Sequence, residues 1–166
     1  MNNTKRMVLL ALMISQALVL SIVESWIPLP VAIPGVKLGL ANIVTMLVII
    51  FMGAGEALLV TLIRTLLASL FGGGFVIFLF SVTGGILSAI VMALLYKRAS
   101  KLFSIYAISI VGAITHNIGQ LLMASLYMKS LKVMGYLPIL LVSGIIMGSF
   151  IGLCVTYLSP ALKKVF

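Results

Sequence analysis

The sequence contains no aspartate, only two glutamates (Glu24 and Glu56), one histidine and one cysteine. Without clustered carboxylates, the chain lacks the ligands that usually hold Mg²⁺ against a diphosphate. A single histidine without cysteine or acidic neighbours is a poor metal site, so we expect neither a metal nor another cofactor. Cys154 cannot form an internal disulfide, and its position in an apolar run indicates a small packed side chain.

Charged residues of either sign are also scarce, at 8% of the chain, whereas 63% of the residues are hydrophobic. A water-soluble domain of this composition would have too little polar surface to stay dispersed, so the bilayer is the expected solvent. The net charge of +9 comes from basic residues in short clusters beside apolar runs. That pattern favours contact with anionic lipid headgroups over binding to nucleic acid.

The apolar runs are continuous rather than alternating, which predicts an all-α membrane protein with a six-transmembrane-helix bundle. Residues 1–166 would form one integral membrane domain, with helices at about 7–27, 38–52, 56–71, 75–96, 102–128 and 137–158. The proline-rich connector 28–37 is predicted to cover one end of the bundle as a lid. Gly72–Gly74 is predicted to be a flexible hinge, and Pro160 is predicted to stop the sixth helix.

The distribution of lysine and arginine predicts the orientation of this multi-pass protein in the cell membrane. With six crossings, one side carries both termini and seven basic residues, whereas the other side carries three. The positive-inside rule then places both termini in the cytoplasm. Predicted helices 2 and 3 are roughly 22–24 Å long against a core of about 30 Å. A re-entrant hairpin is therefore an alternative, and it leaves both termini on the same side.

Arg64 lies near the middle of the third predicted helix, where insertion of an arginine costs about 2.5–3.5 kcal/mol. Such a side chain needs a partner or a water-filled cavity. That partner is either a ligand anion or proton-linked carboxylate, or a structural contact with an acid or backbone carbonyls. Glu56 is eight residues away and is expected to begin the helix as a first-turn acid.

A second group of polar residues, His116, Asn117 and Gln120, lies in the fifth predicted helix. His116 and Gln120 share one face because they are four residues apart. Interhelical hydrogen bonding could explain one such residue, but three within five residues favour a ligand pocket. Glu24, Lys37 and Asn42 lie around the outer connector. Lys37 would meet an anionic ligand, pair with Glu24, or remain a solvated loop charge.

Small residues recur every four positions and predict close helix packing. Gly144, Gly148 and Gly152 do so in the sixth predicted helix, and Gly85, Ala89 and Ala93 do so in the fourth. Ala11 and Ser15 form a shorter ridge on the first helix, which is predicted to dock another membrane subunit.

Two functional classes fit these residues. The first is a solute-binding transport subunit, whose pocket comprises Glu24, Lys37, Asn42, Arg64, His116, Asn117 and Gln120. No nucleotide-binding loop occurs in the sequence, so any use of ATP would require a partner. The second is a component of an enzyme acting on isoprenoid diphosphates. The missing aspartates disfavour catalysis by this chain alone, which leaves a non-catalytic accessory role.

Four segments carry a resemblance to a known family: PGVKLGLANI (34–43), the Arg64 helix with its glycine-rich exit, SVTGG (81–85) and GAITHNIGQ (112–120). In these the chain resembles the Gx transporter family, also labelled heptaprenyl diphosphate synthase component I. The similarity extends over nearly the whole chain.

Members of that family look like the substrate-binding S components of energy-coupling factor (ECF) transporters. The resemblance implies a six-helix vitamin-uptake subunit whose first helix docks a coupling subunit, with Ala11 and Ser15 in the docking ridge. It implies a small polar or anionic solute, taken from outside with an ATP-driven energising module. Proton coupling through His116 or Glu24 is the alternative source of energy.

Overall fold

A computed structural model of the chain describes residues 2–27, 37–164 and 166, with only the backbone of Gly72 and Gly73. The helices are α1 (Asn3–Ser25), α2 (Asn42–Phe51), α3 (Ala54–Ala68), α4 (Gly74–Ala99), α5 (Ile105–Tyr127) and α6 (Leu137–Leu162). A π-helical turn, Ser69–Gly73, joins α3 to α4, and a 3-10 turn, Leu131–Tyr136, precedes α6. No strand occurs in the described ranges, which confirms the all-α prediction.

Among the residues that the structure describes, five helical segments are long and apolar enough to cross a membrane: α1, α3 with the start of its π-helical turn, α4, α5, and α6 with its 3-10 turn. These helices confirm a multi-pass membrane protein. The ten residues of α2 rise only about 15 Å, half of a bilayer core. The predicted helix 38–52 was therefore too long. Gly39 has a left-handed φ of +88°, which keeps the chain before Asn42 out of the helix.

The short helix α2 lies inside the bundle. Its residues Asn42 to Ile49 are all buried, and it packs against each of the other five helices. A helix that is apolar on all sides is stable only where other helices surround it, and Met46 and Val48 are fully enclosed. This position places the polar start of α2, at Asn42, within the bundle.

Glycines bring α5 close to both of its neighbours. A Cβ at Gly84 of α4 would lie 2.6 Å from the His116 carbonyl oxygen, and a Cβ at Gly148 of α6 would lie 2.5 Å from Ile110 Cα. Most of the small residues predicted to allow close packing are buried: Gly85 and Ala89 on α4, and Gly144, Gly148 and Gly152 on α6. Gly85 faces Thr61 and Arg64 of α3, whereas the three glycines of α6 lie at the crossing with α5. These three glycines face Ile114, Ile110 and Tyr106 of α5 in turn.

Two contacts bring distant parts of the chain to one end of the bundle. Arg6 near the start of α1 forms an ion pair with Glu56, which lies in the first turn of α3 as predicted. Phe166 stacks on Phe51 at the end of α2, with ring centroids 4.8 Å apart. The start of α1, the α2–α3 turn and the C-terminal residue therefore share one end.

One sequence prediction about a helix break was wrong. Pro160 does not stop the last helix, because α6 continues to Leu162. Pro160 has no amide proton to donate to the Thr156 carbonyl. That carbonyl instead accepts a hydrogen bond of 3.4 Å from the Ser159 hydroxyl. At the predicted hinge, Ser69–Gly73 form a π-helical turn, and Gly74, with a φ of +68°, interrupts the helix before α4 continues. The flexibility of this hinge stays a prediction. The predicted lid lies outside the described residues except for Lys37.

Candidate functional site

Polar side chains from α1, α2, α3 and α5 meet around the segment 37–41, which leads into α2. We call this group the polar cluster; its members are Ser21, Glu24, Lys37, Asn42, Arg64, His116 and Gln120. All of them are buried except Lys37, which is partly buried. The structure thus brings together six of the seven residues that the sequence predicted for a pocket.

The segment 37–39 connects the members of the cluster. The Lys37 amide donates to the Gln120 side-chain oxygen at 3.1 Å, and the Lys37 ammonium donates to the Ser21 carbonyl at 3.2 Å. The Gly39 amide donates to the Glu24 carboxylate. A Cβ at Gly39 would lie 2.9 Å from Asn42 Nδ2 and 3.3 Å from the His116 ring. Only glycine allows the backbone this close to both side chains.

Arg64 points from α3 into the cluster and is 3% exposed. Its Nη1 donates to the Ser21 hydroxyl at 3.0 Å. Its Nε and Nη2 are buried and have no hydrogen-bond partner among the described residues. Gly85 of α4 leaves room for the guanidinium, because a Cβ there would lie 3.1 Å from Nη2. Two strong donors of a permanent cation are therefore available in the cluster.

The cluster contains one more positive charge than negative charge. Glu24 interacts electrostatically with both Lys37 and Arg64, but the other acid of the chain, Glu56, pairs with Arg6 at one end of the bundle. Residues 28–36 contain no charged residue that could add a second carboxylate. Counting His116 as neutral, the net charge of the cluster is +1.

Lys37 is the charged member of the cluster that is not part of a helix, because it lies in the segment that leads into α2. Burial lowers the pKa of Lys37 below the ordinary value of 10.5, the positive charge of Arg64 lowers it further, and the carboxylate of Glu24 opposes both effects. The cost of holding this ammonium away from water would fall if an anion lay beside it.

Further buried polar atoms of the site have no hydrogen-bond partner in the described part of the chain. They are both side-chain polar atoms of Asn42, Nε2 of Gln120, Oγ1 of Thr61 and Oγ of Ser81. The His116 ring lies beside the Gly84 backbone without a well-formed hydrogen bond to it. Because a buried unpaired polar group costs about 1–3 kcal/mol, so many in one place indicate a site for a polar ligand or for water.

Asn117 is the one predicted pocket residue that faces another way. Its Nδ2 donates to the Leu140 carbonyl of α6 at 2.7 Å and lies against Gly144. It therefore links α5 to α6, since a residue adjacent to His116 points about 100° around the helix. Ser21 was not among the predicted pocket residues, although it shares a face of α1 with Glu24 by its spacing of three residues.

A cleft of about 290 Å³ lies beside the polar cluster, between α1, α3 and α4. Ser21 and Lys37 belong both to the cleft and to the cluster. The remaining wall is largely apolar and includes Ile22, Trp26, Ala68, Phe71 and Ile77. This arrangement suits a ligand with a charged group at one end and an apolar body at the other.

The small residues of α1 lie on its outer surface. Ala11 and Ser15 are exposed, and the Ser15 hydroxyl donates to the Ala11 carbonyl of the same helix at 3.0 Å. The opposite face of α1, with Met13, Ala17 and Ser21, packs into the bundle. The ridge is accordingly available for contact with lipid or with another helix.

One comparison with known proteins gave a match. The family described as heptaprenyl diphosphate synthase component I matches residues 13–158, which confirms the family resemblance seen in the sequence motifs. No curated protein and no solved structure matches the chain.

Proposed function

The chain belongs to the heptaprenyl diphosphate synthase component I family, and we propose that it binds a small anionic solute as the membrane subunit of an uptake system. The observation that carries this proposal is the net charge of +1 in the buried polar cluster. A buried charge without a counter-ion is costly, and no side chain of this chain can supply the missing negative charge. A bound anion would do so.

Five members of the polar cluster, and Asn117 next to it, have a role in this proposal. Arg64 and Lys37 neutralise the negative group of the solute, and Arg64 does so with two N–H donors that have no partner in the described part of the chain. Asn42, His116 and Gln120 orient the solute by hydrogen bonds. Asn117 holds α6 against the back of the site through the Leu140 carbonyl.

The energy for transport would come from a separate module. The sequence has no nucleotide-binding loop, and the exposed ridge of Ala11 and Ser15 offers a surface for a coupling subunit with ATPase subunits. The excess of basic residues on one side favours cytoplasmic termini in the cell membrane, with the site open to the opposite side. Proton coupling through His116 or Glu24 is the alternative.

A second candidate function is suggested by the family description itself. The chain would then be a non-catalytic membrane component of heptaprenyl diphosphate synthase. The absence of aspartate argues against catalysis by this chain, because Mg²⁺-dependent diphosphate chemistry needs several carboxylates. An accessory role would require only contact with the catalytic partner.

Copurification separates these two functions. We expect the tagged chain, extracted from its native membrane in mild detergent, to retain an ATPase pair and a coupling subunit. Ala11→Leu with Ser15→Leu should release them, because bulky side chains prevent close helix approach. Val142→Leu, at an exposed position of α6, is the matched control. Recovery of a prenyl synthase without any ATPase would support the second function instead.

Anion binding should weaken as the pH rises through the lowered pKa of Lys37. Burial places that pKa below 10.5, so Lys37 loses its proton earlier than an ordinary lysine and the net charge of the cluster falls from +1 to 0. Glu24, Arg64 and His116 do not gain a compensating positive charge in this range. The measurement is the dissociation constant of benzoate in detergent from about pH 7 to about pH 9.

Lys37→Arg is the control for this pH dependence, because arginine stays protonated throughout the range. Its affinity for benzoate should stay constant while the affinity of the wild type falls. A wild-type affinity that rises with pH would contradict the role of Lys37.

A further inference from the structure

We infer that the solute is a small amphipathic monoanion, a carboxylate on an apolar body, and that Glu24 sets this charge preference without contacting the solute. This inference rests on the proposed function and specifies its substrate class. The three charged side chains of the polar cluster, Glu24, Lys37 and Arg64, then have different roles.

The charges of the polar cluster indicate the charge of the solute. Arg64 is 3% exposed and Glu24 is 4% exposed, so neither is well screened by solvent. With Lys37, the cluster lacks one negative charge. A solute with one negative charge would make the site neutral, whereas a second charge would leave it negative in a medium of low polarity.

Glu24 acts through its charge and through its contact with the backbone before α2. Its carboxylate accepts the Gly39 amide, and that bond holds the segment through which Lys37 reaches Ser21 and Gln120. Glu24 thus compensates one cation and fixes the backbone before α2. Because Nε and Nη2 of Arg64 have no hydrogen-bond partner within residues 2–27 and 37–164, the solute would bind to the guanidinium rather than replace Glu24.

The shape of the adjoining cleft indicates the apolar body of the solute. Its polar corner is formed by Ser21 and Lys37, and its apolar wall by Ile22, Trp26, Phe71 and Ile77. A carboxylate at the polar corner would place the rest of a small molecule against this wall. The volume of about 290 Å³ accommodates a single aromatic ring or a short branched chain.

The charge count disfavours a diphosphate as the solute. One phosphate group already carries about −1.5 to −2 charges at neutral pH, and a diphosphate carries more. The cluster would need at least one further cation to neutralise it. Residues 28–36 contain no lysine or arginine, so the neighbouring connector cannot supply that cation.

The test compares probes that share a benzene ring and differ in charge: benzamide (neutral), benzoate (−1) and phthalate (−2), with inorganic pyrophosphate as a fourth. Binding to the detergent-purified full chain is measured by calorimetry and by the shift of its melting temperature. The wild type should bind benzoate at least about tenfold more tightly than benzamide or phthalate, since close charge pairs contribute strongly in buried sites.

Two single variants change the charge of the site and keep its size, and combining them restores the charge. Glu24→Gln raises the net charge to +2 and should shift the preference to phthalate, while its side-chain oxygen can still accept the Gly39 amide. Lys37→Met lowers the charge to 0 and should favour benzamide. The double variant returns to +1 and should again prefer benzoate, which shows that charge, and not damage to the fold, caused both shifts.

The outcomes separate the inference from the proposed function. A preference for phthalate or pyrophosphate in the wild type would overturn the monoanion while leaving an anion site. Unchanged preferences in Glu24→Gln and Lys37→Met would overturn the role of Glu24. Equal binding of benzoate and benzamide, or no binding of any probe, would overturn the anion site and the proposed function together.

Discussion

Replacing Arg64 with alanine should abolish anion binding, lowering the affinity for benzoate by about 100-fold or more. The variant removes two donors, Nε and Nη2, that no described residue pairs with, and it takes the net charge of the polar cluster from +1 to 0. Calorimetry on the purified protein measures the loss directly. Arg64→Lys should retain part of the affinity, because lysine keeps the charge but not the planar pair of donors.

Lys163→Ala is the control for this prediction. It also removes one positive charge, but it lies beyond the last residue of α6, far along the chain from the polar cluster. Its affinity for benzoate should equal that of the wild type. Equal affinities in Arg64→Ala and Lys163→Ala would remove the assignment of Arg64 to the site.

Replacing Gly84 with leucine should destabilise the bundle by about 3 kcal/mol or more, at the upper end of the cost of overpacking. A Cβ at Gly84 would lie 2.6 Å from the His116 carbonyl oxygen and 2.8 Å from Gln120 Cγ. The backbone of α5 has little room to move away from α4, because α6 also meets it closely at Gly148. The free energy of unfolding is measured by titrating the protein in mild detergent with a denaturing detergent, and the values for the variant and the wild type are compared.

Gly55→Leu is the matched control, because no atom lies within 4 Å of a Cβ at that position. We expect its stability to change by only a few tenths of a kcal/mol, as for most surface substitutions. Gly119→Ala should resemble Gly84→Leu, since its Cβ would lie 2.8 Å from Gly84 Cα. Similar stabilities for Gly84→Leu and Gly55→Leu would contradict the close crossing of α4 and α5.

The Gly84 variant also connects packing to function. Gly84 lies against His116 and Gln120, so separating α4 from α5 would displace two members of the polar cluster. Any remaining folded protein should bind benzoate more weakly than Gly55→Leu does. The same contacts therefore support the fold and position the site.

Much of this arrangement follows from local sequence. The spans of α1, α4 and α5 were predicted to within a few residues, because each is a long apolar segment bounded by polar residues or glycine. Arg64, His116 and Gln120 were candidates because a polar side chain is conspicuous in such a segment. The start of α2 was misplaced, because an apolar sequence does not reveal that Gly39 adopts a left-handed conformation.

Composition was enough to place this chain in a bilayer as helices, because the transfer of each segment depends mainly on its own residues. It also limited the carboxylates to two. Helix packing then determined which side chains meet: it enclosed α2, joined Ser21 to Arg64 and turned Asn117 toward α6. Those contacts depend on the angles and distances between helices, which arise only when several helices pack together.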